Sequence, residues 1–559
     1  MEEIDQYQIP ADNKPKPTRR RPRASNAQPL YFGATLIVGI LIGTYLADSN
    51  LLTIKTGAEE NPNKLVTLID YIEETYVDSV DKKRLIDDAI ESILSHLDPH
   101  SYYINPDELA ITKERMNGEY QGIGMEFMLL RDTLRVIKTM NNSPAQRGGL
   151  QMGDKIIEVD GKVIAGQKIN SDKVQKLIKG KAGTDVKLTV LRKMEKDPLI
   201  ITLQRGNIPI ESVTASYRIA PNVGYIKIES FAHTTFEEFQ TSMRQLIAED
   251  CQSVVIDLRG NGGGLLEQSF LIAESFLPKD KLVLFTKGMH FPQKNYITTQ
   301  DGEFRNMEVT VLVDQNSASA SEILAGALQD WDKSTTVGRR TFGKGLVQHE
   351  IELPDRSAFR LTIARYYTPT GRCIQKPYSD STEYGDDFTH RYINGELFHK
   401  DSIAKHDSLK FTTPAGKVVY GSGGITPDIF IPLDTSNTIL LSKIATTTII
   451  RDASFEFIEN NKKLLGKFKN EDDFVEKFKV PESLLQQAYR ELKKADIALQ
   501  QKEWNAGKEE VKNRLKANIG RYLYTNNAVQ KVIYSEDKEL QKAVEITKGK
   551  IKKDNKSKK

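Results

Sequence analysis

Apolar and polar positions change their spacing several times along the chain, and each change predicts a different kind of element. Residues 30–47, LYFGATLIVGILIGTYLA, carry no charge; about 18 such positions lie near the lower limit for a helix that crosses a bilayer. From 63 to 117 apolar residues recur at helical spacing in LVTLIDYIEETY and KRLIDDAIESILSHL, and Pro99 and Pro106 interrupt the pattern. Between those prolines Asp98, Pro99, His100 and Ser101 read as a turn in which His100 is a polar cap. From 118 to 205 short alternating runs, an Asp160/Gly161 hairpin turn and one helix around Asp172 to Ile178 predict a small β-rich domain. Across 208–436 the continuous apolar runs VGYIKI, SVVID and VLV alternate with helical stretches, the pattern of an α/β core. Its segment 376–420 reads as a polar insertion. Residues 437–545 turn helical and highly charged, and 546–559 form a like-charged tail expected to be disordered.

Composition narrows the picture. A chain of 559 residues exceeds what one core usually supports, so several domains are expected. Its 79 basic and 76 acidic residues give a net charge of +3, which exerts no strong pull toward nucleic acid. The cations Lys14, Lys16, Arg19, Arg20, Arg21 and Arg23 precede the uncharged run and Asp48 follows it. That order predicts a retained single-pass anchor with residues 1–29 in the cytoplasm and the remainder outside. A cleaved signal peptide is the alternative; the run is longer than a usual signal core and lacks a clean cleavage site. Two cysteines, Cys251 and Cys373, exclude a disulfide framework, and neither sits in a setting that would activate a thiol.

The chemistry concentrates in VLVDQNSASASEILAGALQDWDKSTTVGRRTFGKGLVQ, residues 311–348. An apolar strand passes through a small-residue corner into a helix. Ser317, Ser319 and Ser321 crowd that corner, and Ser319 with Glu322 fits the S-x-x-E capping box. A helix cap is the ordinary role for such a serine. The same place puts a hydroxyl beside unpaired backbone N–H groups able to hold an oxyanion. Lys344 lies between Gly343 and Gly345, where the backbone can carry its side chain inward; it must be desolvated to act as a base. Gln348, four residues on, can orient the amine. In DLRGNGGGL, Gly262, Gly263 and Gly264 permit close backbone approach. His390, His399 and His406 in the insertion have no spacing typical of a metal site, so that segment is read as a solvated loop.

SASASEILAGALQD followed by TFGKGLVQ closely resembles the C-terminal processing peptidases, or tail-specific proteases, serine peptidases that use a Ser/Lys dyad. The resemblance implies Ser319 as nucleophile, Lys344 as base and Gln348 as its support. It further implies an oxyanion hole from the Ala320 amide and one from Gly262 or Gly263, and no metal or cofactor; Asp330 matches a position that affects activity in members, and its role is expected to be structural. Residues 118–205 look like a PDZ domain, with Gly122, Ile123, Gly124 and Met125 where such domains hold a peptide's terminal carboxylate. Lys179 stands where family members often carry arginine. The expected architecture is multidomain α/β: a membrane helix, a small helical segment, a PDZ domain, an α/β serine peptidase core and an α-helical C-terminal domain. The expected partners are protein substrates with exposed C-termini and the membrane, with self-association one use for the helical domain. The uncharged run and its flanking charges lead to the expectation of an inner-membrane protein with its catalytic part in the periplasm or outside the cell. Two other readings stay open at this point: a non-catalytic PDZ scaffold, and a Ser/His/Asp hydrolase using His349.

Overall fold

A computed structural model describes Gly39 and residues 64–378, 384–403, 407–436, 438–495 and 499–557. The expected cytoplasmic segment and, apart from Gly39, the expected anchor at 30–47 lie outside those residues. Among the described residues no helix is long and apolar enough to cross a membrane. The chain forms two compact units, residues 1–86 and 87–559. In the first, the helix Lys64–Thr75 carries Asp70 and Glu73, which pair with Lys82 at 2.8 and 2.7 Å.

The centre of the second unit is a six-stranded sheet. Val223–Ile228, Ser253–Asp257, Glu308–Val313, Ser334–Gly338 and Ile429–Phe430 run parallel, and Val213–Ala220 joins one edge antiparallel. Strands covered on both faces favour apolar side chains at most positions, which is why Val223–Ile228, Ser253–Asp257 and Glu308–Val313 read as largely apolar runs. One face packs against the helices Thr235–Ala248, Leu266–Glu274 and Ala320–Asp330 through Phe239, Ile256, Val311 and Leu324, all fully buried. Each such side chain contributes roughly 1.5–3 kcal/mol relative to exposure. The opposite face is covered by the last helix, Lys538–Ser557, whose Leu540, Ala543 and Val544 pack on Tyr225, Val255 and Leu312. Thr547 joins them, its hydroxyl 2.7 Å from that of Thr310. This helix continues through Ser557, so the disordered tail expected from 546 is instead helical in its described part. Arg259 fastens the helix start through Asp537 (2.7 Å) and Glu539 (3.0 Å).

A second, antiparallel sheet joins Tyr102–Ile104, Ala358–Tyr367, Leu282–Lys287 and Lys294–Ile297, with Leu346–Glu352 also paired to Ala358–Tyr367. Another six-stranded sheet makes the β-rich domain, from Met125–Leu130 to Leu199–Gln204, with the helix Ser171–Ile178 beside it. Asp160 and Gly161 take positive φ, 50° and 76°, as the hairpin turn requires. The helices from Thr438–Ala445 to Asn526–Ile533 pack around Phe455, Phe474, Leu515 and Ile519. Met128 and Leu130 from the β-rich domain belong to the same cluster.

The sheet order determines where chemistry can occur. Ser253–Asp257, Glu308–Val313 and Ser334–Gly338 are consecutive neighbours pointing the same way. The turns leaving their carboxyl ends therefore lie side by side, and they carry Gly262–Gly264, Ser319 and Lys344.

Candidate active site

The three serines of the corner differ in environment. Ser317 and Ser321 are fully buried, with hydroxyls donated to the carbonyls of Leu258 (2.8 Å) and Asn261 (2.9 Å). Ser319 alone is partly exposed. Its φ of 55° and ψ of −115° lie where a non-glycine residue is held only by its surroundings. Those surroundings are Glu322 and Tyr366. The carboxylate of Glu322, 0% exposed, accepts from Ser319 N–H at 2.9 Å, the arm of the capping box that reaches back. Glu322 also accepts from Thr341 Oγ1 (2.5 Å), Gly343 N–H (2.7 Å) and Lys344 N–H (2.8 Å). The buried Tyr366 hydroxyl lies 3.1 Å from the Ser319 carbonyl oxygen and 2.7 Å from that of Lys344. Two side chains thus bind the backbone of the serine corner to that of the lysine loop.

Lys344 donates its Nζ to Gln348 Oε1 at 2.9 Å. Burial, seconded by the Arg360 charge, lowers its pKa to about 8 against the pull of Asp98 and Glu322. Gln348 Nε2 donates in turn to the His100 carbonyl. Asp98 accepts from His100 N–H (2.8 Å) and Ser101 N–H (3.1 Å), which makes the expected turn. Asp98 rather than His100 is thus the cap of this turn, and His100 supplies through its carbonyl the acceptor that fixes Gln348. Its ring, 2.5 Å from the Tyr384 hydroxyl, is held down to about 4 by burial and next by the Lys344 charge. His349 is exposed on the strand beside Gln348.

Gly263 is pressed against the serine. A methyl group built on it would lie 2.8 Å from Ser319 Cβ and 3.0 Å from Ala320 N, whereas one on Gly262 would meet nothing within 4 Å. Gly263 N–H donates to Asn261 Oδ1 at 2.8 Å, and Asn261 anchors the turn through Nδ2 to the Ile228 carbonyl at 2.9 Å. Ala320 N–H opens the helix and has no partner within it, which leaves it beside Ser319 as the amide best suited to an oxyanion. Sequence reasoning missed Asn261, Tyr366 and the long reach of Glu322. Asp330 is structural, as expected: fully buried, it pairs with Arg372 at 2.6 Å and accepts from Thr370 Oγ1 at 2.7 Å. Burial raises both thiols, Cys251 to about 11, which suits neither for nucleophilic attack.

Gly122, Ile123, Gly124 and Met125 lie along a groove of about 850 Å³. Met125–Leu130 is the edge strand of its sheet, so one side of its backbone is open to β-augmentation beside the helix Ser171–Ile178. Arg521 and Thr525 of the helical domain form part of the far wall. Lys179 pairs with Glu114 at 2.6 Å and lies over the Tyr120 ring.

A serine at a strained strand-to-helix corner, a desolvated lysine and an attached peptide-binding module together define a serine-type peptidase with a PDZ domain. Residues 222–381 match peptidase family S41 and residues 136–192 match the PDZ domain, while 440–525 match a family of unknown function. The chain is 33% identical over 354 residues to the carboxy-terminal-processing protease of Bartonella bacilliformis, covering 61% of this chain and 80% of that protein. It is also 33% identical over 317 residues to the carboxy-terminal processing protease CtpB of Bacillus subtilis, covering 56% of this chain and 65% of that protein. Among solved structures, a photosystem II D1 C-terminal processing protease aligns at 23% identity and a TM-score of 0.35, over 66% of this chain and 94% of that one. The chain belongs to the carboxy-terminal-processing proteases of family S41.

Proposed function

We propose that this protein is an envelope endopeptidase that captures the free C-terminus of a polypeptide in its PDZ groove and cleaves the chain with Ser319 as nucleophile and Lys344 as general base. The observation that carries the reading is a poorly solvated amine, oriented by Gln348, on a loop whose backbone shares the Glu322 carboxylate with that of Ser319. In the neutral form Lys344 takes the Ser319 hydroxyl proton as Oγ attacks the scissile carbonyl. The carbonyl oxygen gains charge beside Ala320 N–H and the glycine turn. The ammonium then returns the proton to the departing amine as the C–N bond breaks. Water enters, gives a proton to Lys344 and attacks the acyl-enzyme, and Ser319 recovers its proton as the acid product leaves.

The uncharged run at 30–47, flanked by cations on its amino side, supports a single-pass anchor that holds the catalytic part in the periplasm or outside the cell. Deleting residues 1–47 should release the protein from the membrane fraction with peptidase activity retained. The mechanism is tested by Ser319→Ala, which should abolish turnover of a peptide substrate while C-terminal peptides bind with unchanged affinity. Undiminished turnover by that variant would refute the nucleophile assignment.

A further inference from the structure

In its described residues, 376–378, 384–403 and 407–420, the insertion is not the solvated loop its polarity suggests. Tyr384, Arg391, Glu396, Leu397 and Ile403 are all at most 7% exposed. A buried guanidinium requires acceptors. Arg391, on the helix Asp387–Ile393, finds them in three consecutive carbonyls: Nη1 donates to Arg340 O at 3.1 Å and Thr341 O at 2.9 Å, and Nη2 to Phe342 O at 3.1 Å. Those residues lead directly into Gly343 and Lys344. Asp387 balances the charge at 2.9 Å, and Glu396 accepts from Arg340 Nε and Nη2, each at 2.7 Å. The start of the insertion holds the other side of the loop. Lys376 N–H donates to Gly343 O at 2.9 Å, and its ammonium lies 3.8 Å from the centre of the Phe342 ring and 4.0 Å from that of Tyr384. Tyr384 in turn meets His100, whose carbonyl accepts from Gln348.

The insertion therefore bears on Lys344 indirectly from two directions: through the backbone that delivers it, and through the turn that orients its amide partner. We propose that this insertion is a positioning device for the catalytic amine, in which Arg391 fixes the loop 340–342 and Tyr384 fixes His100 and hence Gln348. The inference rests on Lys344 being the general base. Neither residue touches the reacting atoms; both act through Lys344. Lysine in place of Arg391 keeps a charge but loses the planar fork that spans three carbonyls. Phenylalanine in place of Tyr384 keeps the ring and removes only the hydroxyl.

The test compares the wild type with Arg391→Lys, Tyr384→Phe and Lys344→Ala, reading kcat and KM against pH, thermal melting and the affinity for a C-terminal peptide. For Arg391→Lys and Tyr384→Phe, kcat at pH 7 should fall about tenfold with KM and peptide affinity nearly unchanged. The pH at which activity rises should move upward by about half a unit as water regains the amine. If both variants keep the wild-type kcat and pH profile while Lys344→Ala is inactive, the positioning role is overturned. If Lys344→Ala is itself fully active, the general-base reading fails instead. Should Arg391→Lys not fold, Tyr384→Phe decides alone: a shifted profile supports the proposal and an unshifted one overturns it.

Discussion

Glu322 accepts the backbone N–H of Lys344 at 2.8 Å, on the oxygen that also accepts Ser319 N–H at 2.9 Å. Its other oxygen takes the Thr341 hydroxyl and Gly343 N–H. Burial raises the pKa of this carboxyl, and the four donors oppose the shift. One side chain thus sets the distance between two segments that the sequence separates. In Glu322→Gln the amide nitrogen replaces one acceptor and, in the better of its two orientations, faces the Thr341 hydroxyl and the Gly343 N–H, which loses its acceptor. Each stranded donor costs about 1–3 kcal/mol, and a displacement near 1 Å at the site costs about 100-fold in rate. The expected outcome is a folded but destabilised enzyme with kcat reduced about 100-fold, measured by peptide hydrolysis and denaturant unfolding. Unchanged kcat would show that these four bonds do not place the loop.

Much of this arrangement was legible beforehand, and the gaps have physical causes. Parallel strands buried on both faces announce themselves as apolar runs, and the PDZ strands alternate. The three serines could not be separated by residue type alone, because all are small and polar; burial and committed hydroxyls distinguish Ser319. Glu322 reads as a local cap because its bonds to Gly343 and Lys344 span some twenty residues. The insertion reads as solvated because hydropathy cannot tell solvated charges from charges that pair inside, as Arg340 does with Glu396 and Arg391 with Asp387. The last helix reads as helical only to 545, because past Leu540, Ala543 and Val544 only Thr547 continues their helical spacing in a lysine-rich stretch.

Gly262 and Gly263, equivalent in the motif, should respond in opposite ways to alanine. At Gly263 the added methyl would lie 2.7 Å from Ala318 O and 2.8 Å from Ser319 Cβ, on a backbone whose φ of 102° already resists a side chain. The serine must shift, and with it the Ala320 amide. Gly263→Ala should lower kcat/KM about 100-fold or more, the scale of losing an oxyanion donor, with reduced melting temperature. Gly262→Ala, whose methyl meets nothing within 4 Å, should stay within about threefold of the wild type, a loss below 1 kcal/mol. Kinetics on both variants check this. Greater damage at Gly262 would move the critical contact to that residue.

Through Lys344 both activity and stability should rise with pH. Burial, then Arg360, holds the amine at about 8, below the free lysine value of about 10.4. With the neutral amine as the proposed base, kcat/KM should rise with pH through about 8 and level off above it. For stability, the unfolded chain binds this proton more tightly than the folded one. Stability from this group is therefore lowest below pH 8 and increases as pH rises from about 8 to about 10.4. At pH 7 the folded state carries the whole cost of a poorly solvated ammonium, at most about 3 kcal/mol from 1.36 kcal/mol per pKa unit, less what partial exposure screens. Lys344→Met keeps most of the side-chain volume and removes the charge. It should be inactive, yet more stable than the wild type by about 1–2 kcal/mol at pH 7, and that advantage should vanish near pH 10. Denaturant unfolding of both proteins at the two pH values measures it. A methionine variant less stable at pH 7 would mean that the amine's bond to Gln348 outweighs the cost of its burial, and the protein would then gain no activity at the expense of stability.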